Sequence, residues 1–250
     1  MNNTIDFTIS AAGRVVAVSA LFPSTRNYCS DYLCEGDADF SVRITAQDIT
    51  VERKKAAMED VAEGLPIQSR TDALLERTAV LRKIAEDLFN HDILLMHGSV
   101  IAVDGEAYLF TAKSGTGKST HTRLWREVFG KRALMVNDDK PFLRITQSGV
   151  LVYGSPWNGK HGLGNNICVP LKAICILERG NHNEIHSISI SSAVQMLVQQ
   201  SHQPQQKNKL PKYMELLDRL CALLPFYKLS CTIDPQAAII AYEAMSCPKT

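Results

Sequence analysis

The chain has 250 residues, 45% of them hydrophobic, with 27 Lys and Arg against 26 Asp and Glu and a formal net charge of +1. That length suffices to bury a sizeable core, and the charge balance excludes a global field that would favour a polyanion such as nucleic acid. No apolar run approaches the roughly 18 residues that span a bilayer, and Met1-Asn2-Asn3-Thr4-Ile5-Asp6 lacks the charged start and apolar core of a signal peptide, so the expectation is a cytoplasmic protein without a membrane partner.

Seven cysteines without close C-x-x-C spacing argue against a disulfide framework and against a zinc ribbon. Cys168, Cys175, Cys221 and Cys231 lie among apolar residues and are expected to be small buried hydrophobes.

In chain order, short strands are predicted over Phe7–Ser10, Arg14–Ala20 after the Ala12-Gly13 turn, and Phe40–Ile44 after Gly36-Asp37. Two helical spans follow, Ala46–Glu63 and Asp72–Asn90, the second with Leu74, Leu75, Leu81, Ile84 and Leu88 at helical spacing. Leu94–Val103 and Glu106–Ala112 are β-prone runs joined by Asp104-Gly105, a strong hairpin signal. After a glycine-rich loop, Lys118–Phe129 is predicted helical and Ala133–Val136 a buried strand. Val150–Tyr153 and Ala173–Leu177 are predicted as strands around the loop Gly154–Gly164. Helices over Ser191–Gln200 and Pro211–Leu223, a strand over Phe226–Thr232 and a helix from Pro235 to Met245, capped by Asp234, close the chain. The pattern predicts a mixed α/β fold in two parts, a β-rich and helical segment over residues 1–90 and a core over residues 91–250.

Ser114-Gly115-Thr116-Gly117-Lys118-Ser119, followed by Thr120, lies between a predicted strand and a predicted helix. There, backbone N–H groups and the helix N-terminus are suited to cradling phosphate oxygens. Lys118 is expected to bridge the terminal phosphates and Ser119 to offer its hydroxyl to Mg²⁺. Ala112 stands where the first glycine of G-x-x-x-x-G-K-[ST] would be. Asp138-Asp139 at a strand end supplies one carboxylate for the metal, assigned here to Asp138, and one for the acceptor's proton, and two adjacent carboxylates push one pKa upward. Counting outward from Asp104-Gly105 sets His97 opposite Ala112, beside the phosphate loop. Lys160, in the glycine-rich loop, is the candidate for neutralising transition-state charge.

His97-Gly98, the hairpin, the Ser114–Ser119 run and Asp138-Asp139 about twenty residues later resemble, in order and spacing, the kinase core of HPr kinase/phosphorylase. They also resemble the related nucleotide core of ATP-dependent phosphoenolpyruvate carboxykinase. His161-Gly162-Leu163-Gly164 is similar to the family's Arg-Gly-Leu-Gly loop, with histidine in place of arginine. The resemblance covers residues 93–180. It implies a P-loop core with a mixed sheet, ATP and Mg²⁺ as cofactors, His97, Asp138 and Asp139 as catalytic residues, and a hydroxyl acceptor such as a serine of a small protein or peptide. Residues 1–90 do not resemble the family's N-terminal domain, which makes HPr itself a doubtful acceptor. A carboxykinase-like reaction and a nucleotide sensor without turnover are the competing readings. Self-association is compatible with the sequence but not read from it.

Overall fold

The computed structural model describes residues 4–62 and 64–247. The end of the predicted helix at Glu63, and residues 1–3 and 248–250 of the two predicted segments, lie outside the described residues. The chain divides into two compact units, one ending at Asp87 and the other beginning at Leu88. Its class is mixed α/β, with a small N-terminal sheet and a larger mixed one.

In the first unit, β1 (Ile5–Ala11) and β2 (Arg14–Ala20) form an antiparallel hairpin, and β3 (Phe40–Arg43) lies parallel to β2. Its turn residues Ala12 and Gly13 both take positive φ, 52° and 76°, the backbone that matches the strands' own twist. Alternate strand residues Ile9, Val16, Val18 and Val42 are buried, as a sheet with one covered face requires. A short helix α1 (Pro23–Tyr28), absent from the sequence reading, begins on Pro23; the buried Glu76 accepts hydrogen bonds from the Leu21 and Phe22 amides just ahead of it. Two long helices, α2 (Ala46–Ala62) and α3 (Asp72–Leu88), complete the unit.

The second unit is built on a large sheet whose central strand is twelve residues long. This β10 (Cys168–Arg179) pairs antiparallel with β9 (Val150–Tyr153) through its first residues. It then runs parallel to β6 (Glu106–Thr111) on one side and β12 (Phe226–Cys231) on the other. From β6 the order continues through β5 (Ser99–Val103) to β7 (Ala133–Asn137), and from β9 through β8 (Phe142–Ile145) to β4 (Ile93–Leu95). A further strand, β11 (Glu184–Ser187), borders β12. The sheet is covered on both faces. Ile101, Tyr108, Phe110, Ala173 and Cys175 pack with Leu124 and Trp125 of α4 (Lys118–Phe129) and with Ala238 and Ala241 of α7 (Gln236–Ser246). Val100, Ala107, Leu109, Ile174 and Ile176 pack with Leu197 of α5 (Ile190–Gln200) and with Leu216, Leu217 and Leu220 of α6 (Leu210–Leu223). Burial on both sides is why Ala107–Phe110 of β6 reads as a continuous apolar run rather than alternating.

The hairpin register is the expected one: Val103 faces Glu106 and Ser99 faces Phe110, around Asp104 and Gly105 at φ 53° and 85°. The run predicted as one strand from Leu94 to Val103 is instead broken at Met96-His97-Gly98. There the backbone amides leave the ladder: Met96 donates to the Pro141 carbonyl (3.1 Å), His97 to Gln200 (2.6 Å) and Gly98 to Asp139 (3.0 Å). Gly98 suits this close crossing, since a Cβ would stand 3.0 Å from the Phe110 carbonyl oxygen, tighter than side chains ordinarily pack. Two strands escaped prediction, β8 and β11. All seven cysteines are free thiols; Cys175 and Cys221 are buried as expected, whereas Cys168, on the β9-facing end of β10, is exposed.

Candidate functional site

The loop between β6 and α4 takes its shape from two glycines, Gly115 at φ 74° and Gly117 at φ 123°, backbone that side chains rarely adopt. Ala112 is fully buried and keeps a negative φ, so the missing first glycine costs nothing here. Lys118 folds back across the loop and donates to the Ala112 carbonyl (3.2 Å). From the end of β10, the Arg179 guanidinium donates to the Gly115 carbonyl (2.6 Å) and the Thr116 carbonyl (3.3 Å). With the Thr116 carbonyl tied to Arg179, the Gly117 N–H in the same trans peptide points the other way. Behind the loop, α4 is fixed by Trp125, whose indole N–H donates to His121 (3.0 Å), and by the Thr122 hydroxyl, 3.2 Å from that of Ser99.

Asn137, at the end of β7, organises the acidic pair. Its side-chain oxygen accepts the amides of Asp139 (2.8 Å) and Lys140 (2.6 Å), and its Nδ2 donates to the Ser155 carbonyl (3.1 Å) and to Asn158 (3.0 Å). The turn is thereby stitched to the 154–164 loop, and the Gly159 amide donates to Asp138 Oδ1 (2.6 Å). Asp138 Oδ2 is buried and makes no hydrogen bond. His97 Nε2 lies 3.2 Å from Asp139 Oδ1, and Lys140 Nζ lies 2.9 Å from the same oxygen.

The two carboxyl groups are driven apart. Burial raises Asp138, helped by the neighbouring Asp139 charge and opposed by the Gly159 and Leu163 amides. Burial acts upward on Asp139 too, but the His97 hydrogen bond and the Lys140 ammonium outweigh it and hold the carboxyl at about 2. His97 is lowered by burial and by the Lys140 and Lys118 charges, against the pull of Asp139. Lys118 is likewise lowered by burial and by Lys140, while Asp139 raises it. An ionised Asp139 accepts only, so His97 Nε2 carries the proton of the neutral ring and Nδ1 the lone pair.

His97, Asp139, Lys140 and Lys118 thus form one electrostatic cluster at the phosphate-type loop. Ser114, Gly115, Thr116 and Gly117 form that loop, and Ser119 and Thr120 follow on the first turn of α4, half-buried. Lys160 is exposed on the 154–164 loop, with no hydrogen bond or ion pair joining it to the cluster among the described residues. Asn137, Lys140 and Arg179 were not singled out from sequence. Only Asn137 left a signal there, as an Asn at a strand end whose side chain favours turns. No group of three or more His, Cys, Asp and Glu side chains suited to a metal occurs among the described residues. The buried, unpartnered Asp138 Oδ2 nevertheless fits a cation held chiefly by phosphate oxygens and water, the usual habit of Mg²⁺.

The seating of the 154–164 loop can be tested directly. A Cβ on Gly154 would overlap the Asn165 carbonyl oxygen and stand 2.9 Å from that of Val136. Gly154→Ala is expected to destabilise the protein by about 1–3 kcal/mol in chemical denaturation; an unchanged midpoint would show that the loop is not seated against β7 in this way.

The family model described as SynChlorMet cassette protein ScmC matches residues 62–236. No curated protein matches the chain. Among solved structures, the Hpr(Ser) kinase/phosphatase from Coxiella burnetii is similar with a TM-score of 0.34 and 10% identity, over 58% of this chain and 90% of that one.

Proposed function

The chain belongs to the family of SynChlorMet cassette protein ScmC, and we propose that it is an ATP- and Mg²⁺-dependent phosphotransferase whose HPr-kinase-like P-loop core, residues 91–250, transfers the terminal phosphate to a hydroxyl. The observation that carries this reading is the convergence of the glycine loop and Lys118 with the His97–Asp139–Lys140 cluster and the unpartnered Asp138 Oδ2. Loop amides from Ser114 to Ser119 and the hydroxyl of Thr120 bind the phosphates, and Lys118 leaves the Ala112 carbonyl for the terminal phosphate. Ser119 and Asp138 hold Mg²⁺, which when bound neutralises charge on the phosphate oxygens. Asp138 is suited to this because the cation supplies the partner its buried oxygen lacks.

Asp139, expected from the sequence to take the acceptor's proton, is held at about 2 by His97 and Lys140 and is too weak a base, so His97 takes the proton instead. As the acceptor oxygen bonds to the terminal phosphorus and the bond to the ADP oxygen breaks, the hydroxyl proton passes to Nδ1, and the ionised Asp139 stabilises the imidazolium. Burial, aided by the Lys140 and Lys118 charges, lowers His97 and favours its neutral ring, and phosphate charge offsets the two lysines once nucleotide is bound. Lys160 is the cation available to the transferring group from the 154–164 loop.

Incubation with γ-labelled ATP, Mg²⁺ and cell extract should deposit label on a hydroxyl of another molecule, stable to mild acid. Label recovered only as inorganic phosphate at the uncatalysed rate, or not released, would support a nucleotide sensor instead.

A further inference from the structure

On the α5 face of the large sheet, beside the start of the glycine loop, lies a cleft of about 240 Å³. It adjoins the reacting groups at two points. Gln199 on its wall precedes Gln200, whose carbonyl accepts the His97 amide (2.6 Å), and Lys113 follows Ala112, whose carbonyl holds Lys118 (3.2 Å). A ligand with a hydroxyl at His97 therefore has the cleft next to it along α5. The cleft is smaller than the roughly 300–1,000 Å³ of sites that enclose a small molecule, which suits it to one stretch of a longer ligand.

Its charges do not balance. Lys228 is paired with Glu178 (2.8 Å), whereas the exposed Lys113 side chain makes no hydrogen bond or ion pair among the described residues. One positive charge is thus left for a ligand. The side chains of Gln195 and Gln199 are likewise exposed and unpaired among the described residues. Four residues apart on α5, they stand about 6 Å from each other along the helix axis. Peptide groups on one edge of an extended chain recur at nearly the same interval, about 6.6–6.8 Å for two residues. Each carboxamide both donates and accepts, as a peptide group requires, and Ile176 and Met196 add apolar lining for the side chains.

We propose that this cleft holds an extended acceptor peptide, braced by Gln195 and Gln199, with an acidic side chain of the peptide paired to Lys113 and its serine or threonine hydroxyl at His97. The products are the phosphorylated peptide and ADP, by the transfer already assigned. The inference rests on the phosphotransferase reading for the reacting groups, and goes beyond it in naming the charge and conformation of the acceptor and the residues that select it.

Blocked synthetic peptides with one central serine, and Asp or its isostere Asn at each flanking position in turn, test it with labelled Mg-ATP and the full chain. At one or more positions the Asp peptide should be phosphorylated with kcat/KM about fivefold above its Asn counterpart. Lys113→Gln should erase that difference while Mg-ATP affinity by calorimetry stays within about threefold of wild type. Lys113→Glu should move the preference to a Lys-bearing peptide. Replacing Gln195 and Gln199 together by Ala, on an exposed face of α5, should raise KM for every peptide by about fivefold and leave kcat unchanged. Equal use of Asp and Asn peptides, a preference that survives Lys113→Gln, or an unchanged KM in the double variant overturns the site. Label passing to a non-peptide hydroxyl in cell extract, but to none of the peptides, overturns the peptide acceptor and leaves the phosphotransferase standing. If nothing in extract is labelled either, the phosphotransferase reading falls, and this site with it.

Discussion

Asp138→Asn is expected to lower phosphate transfer from Mg-ATP by about 10³-fold, the several kcal/mol that correct metal placement supplies to phosphoryl transfer. The substitution is nearly isosteric, and Asn keeps an oxygen for the Gly159 amide, which donates to Oδ1. What it removes is the negative charge on Oδ2, the buried atom without a partner. Nucleotide affinity measured without Mg²⁺ should stay within a few-fold, because the loop amides and Lys118 are untouched. Single-turnover kinetics with labelled ATP separates the two effects. Wild-type turnover in this variant would mean that the Asp138 oxygen faces a proton or a water rather than the metal.

The second large effect concerns the His97–Asp139 pair. His97→Ala and Asp139→Asn should each reduce turnover by about 10²–10⁴-fold, and the double variant should be no worse than the more damaged single one. Non-additivity is the signature of two groups working as one base; simple addition of the losses would show that they act separately. The pH profile gives an independent readout. Because burial and the Lys140 and Lys118 charges lower His97, kcat/KM of the wild type should fall on the acid side with a midpoint below the ordinary 6.5 of histidine. In that direction the base is lost as pH drops, since protonation fills the Nδ1 lone pair. A profile flat from pH 7 down to the carboxylate range would remove His97 from the mechanism.

Much of this site was legible where short-range chemistry fixes it. Asp104-Gly105 specified the turn and with it the register as far as Ser99 opposite Phe110; His97, counted to lie opposite Ala112, falls outside the ladder, and its carbonyl accepts from the Thr111 hydroxyl instead. Lys118–Phe129 was bounded by Gly117 and Gly130, both at positive φ, and matched the helix observed. Long-range features were not legible. The break at Met96-His97-Gly98 exists because three distant carbonyls, of Pro141, Gln200 and Asp139, draw the amides out of the ladder. Nothing local in Leu94–Val103 announces it. The four-residue β8 is held by β4 on one side and β9 on the other, partners that only the fold brings together. Arg179 lies just past the predicted strand Ala173–Leu177, and its bonds to Gly115 and Thr116 span more than sixty residues. The opposite shifts of Asp138 and Asp139 were legible only as a pair, because the split depends on which of the two meets His97 and Lys140.

The most direct test of the phosphate loop is thermal or chemical denaturation of the wild type and Lys118→Ala with and without Mg-ATP. At about 100 times its dissociation constant, nucleotide should stabilise the wild type by about 2.7 kcal/mol, and the Lys118→Ala variant should lose most of that gain while its stability without nucleotide changes little. No nucleotide-dependent stabilisation of the wild type at millimolar Mg-ATP, or an equal gain in the variant, would contradict the account.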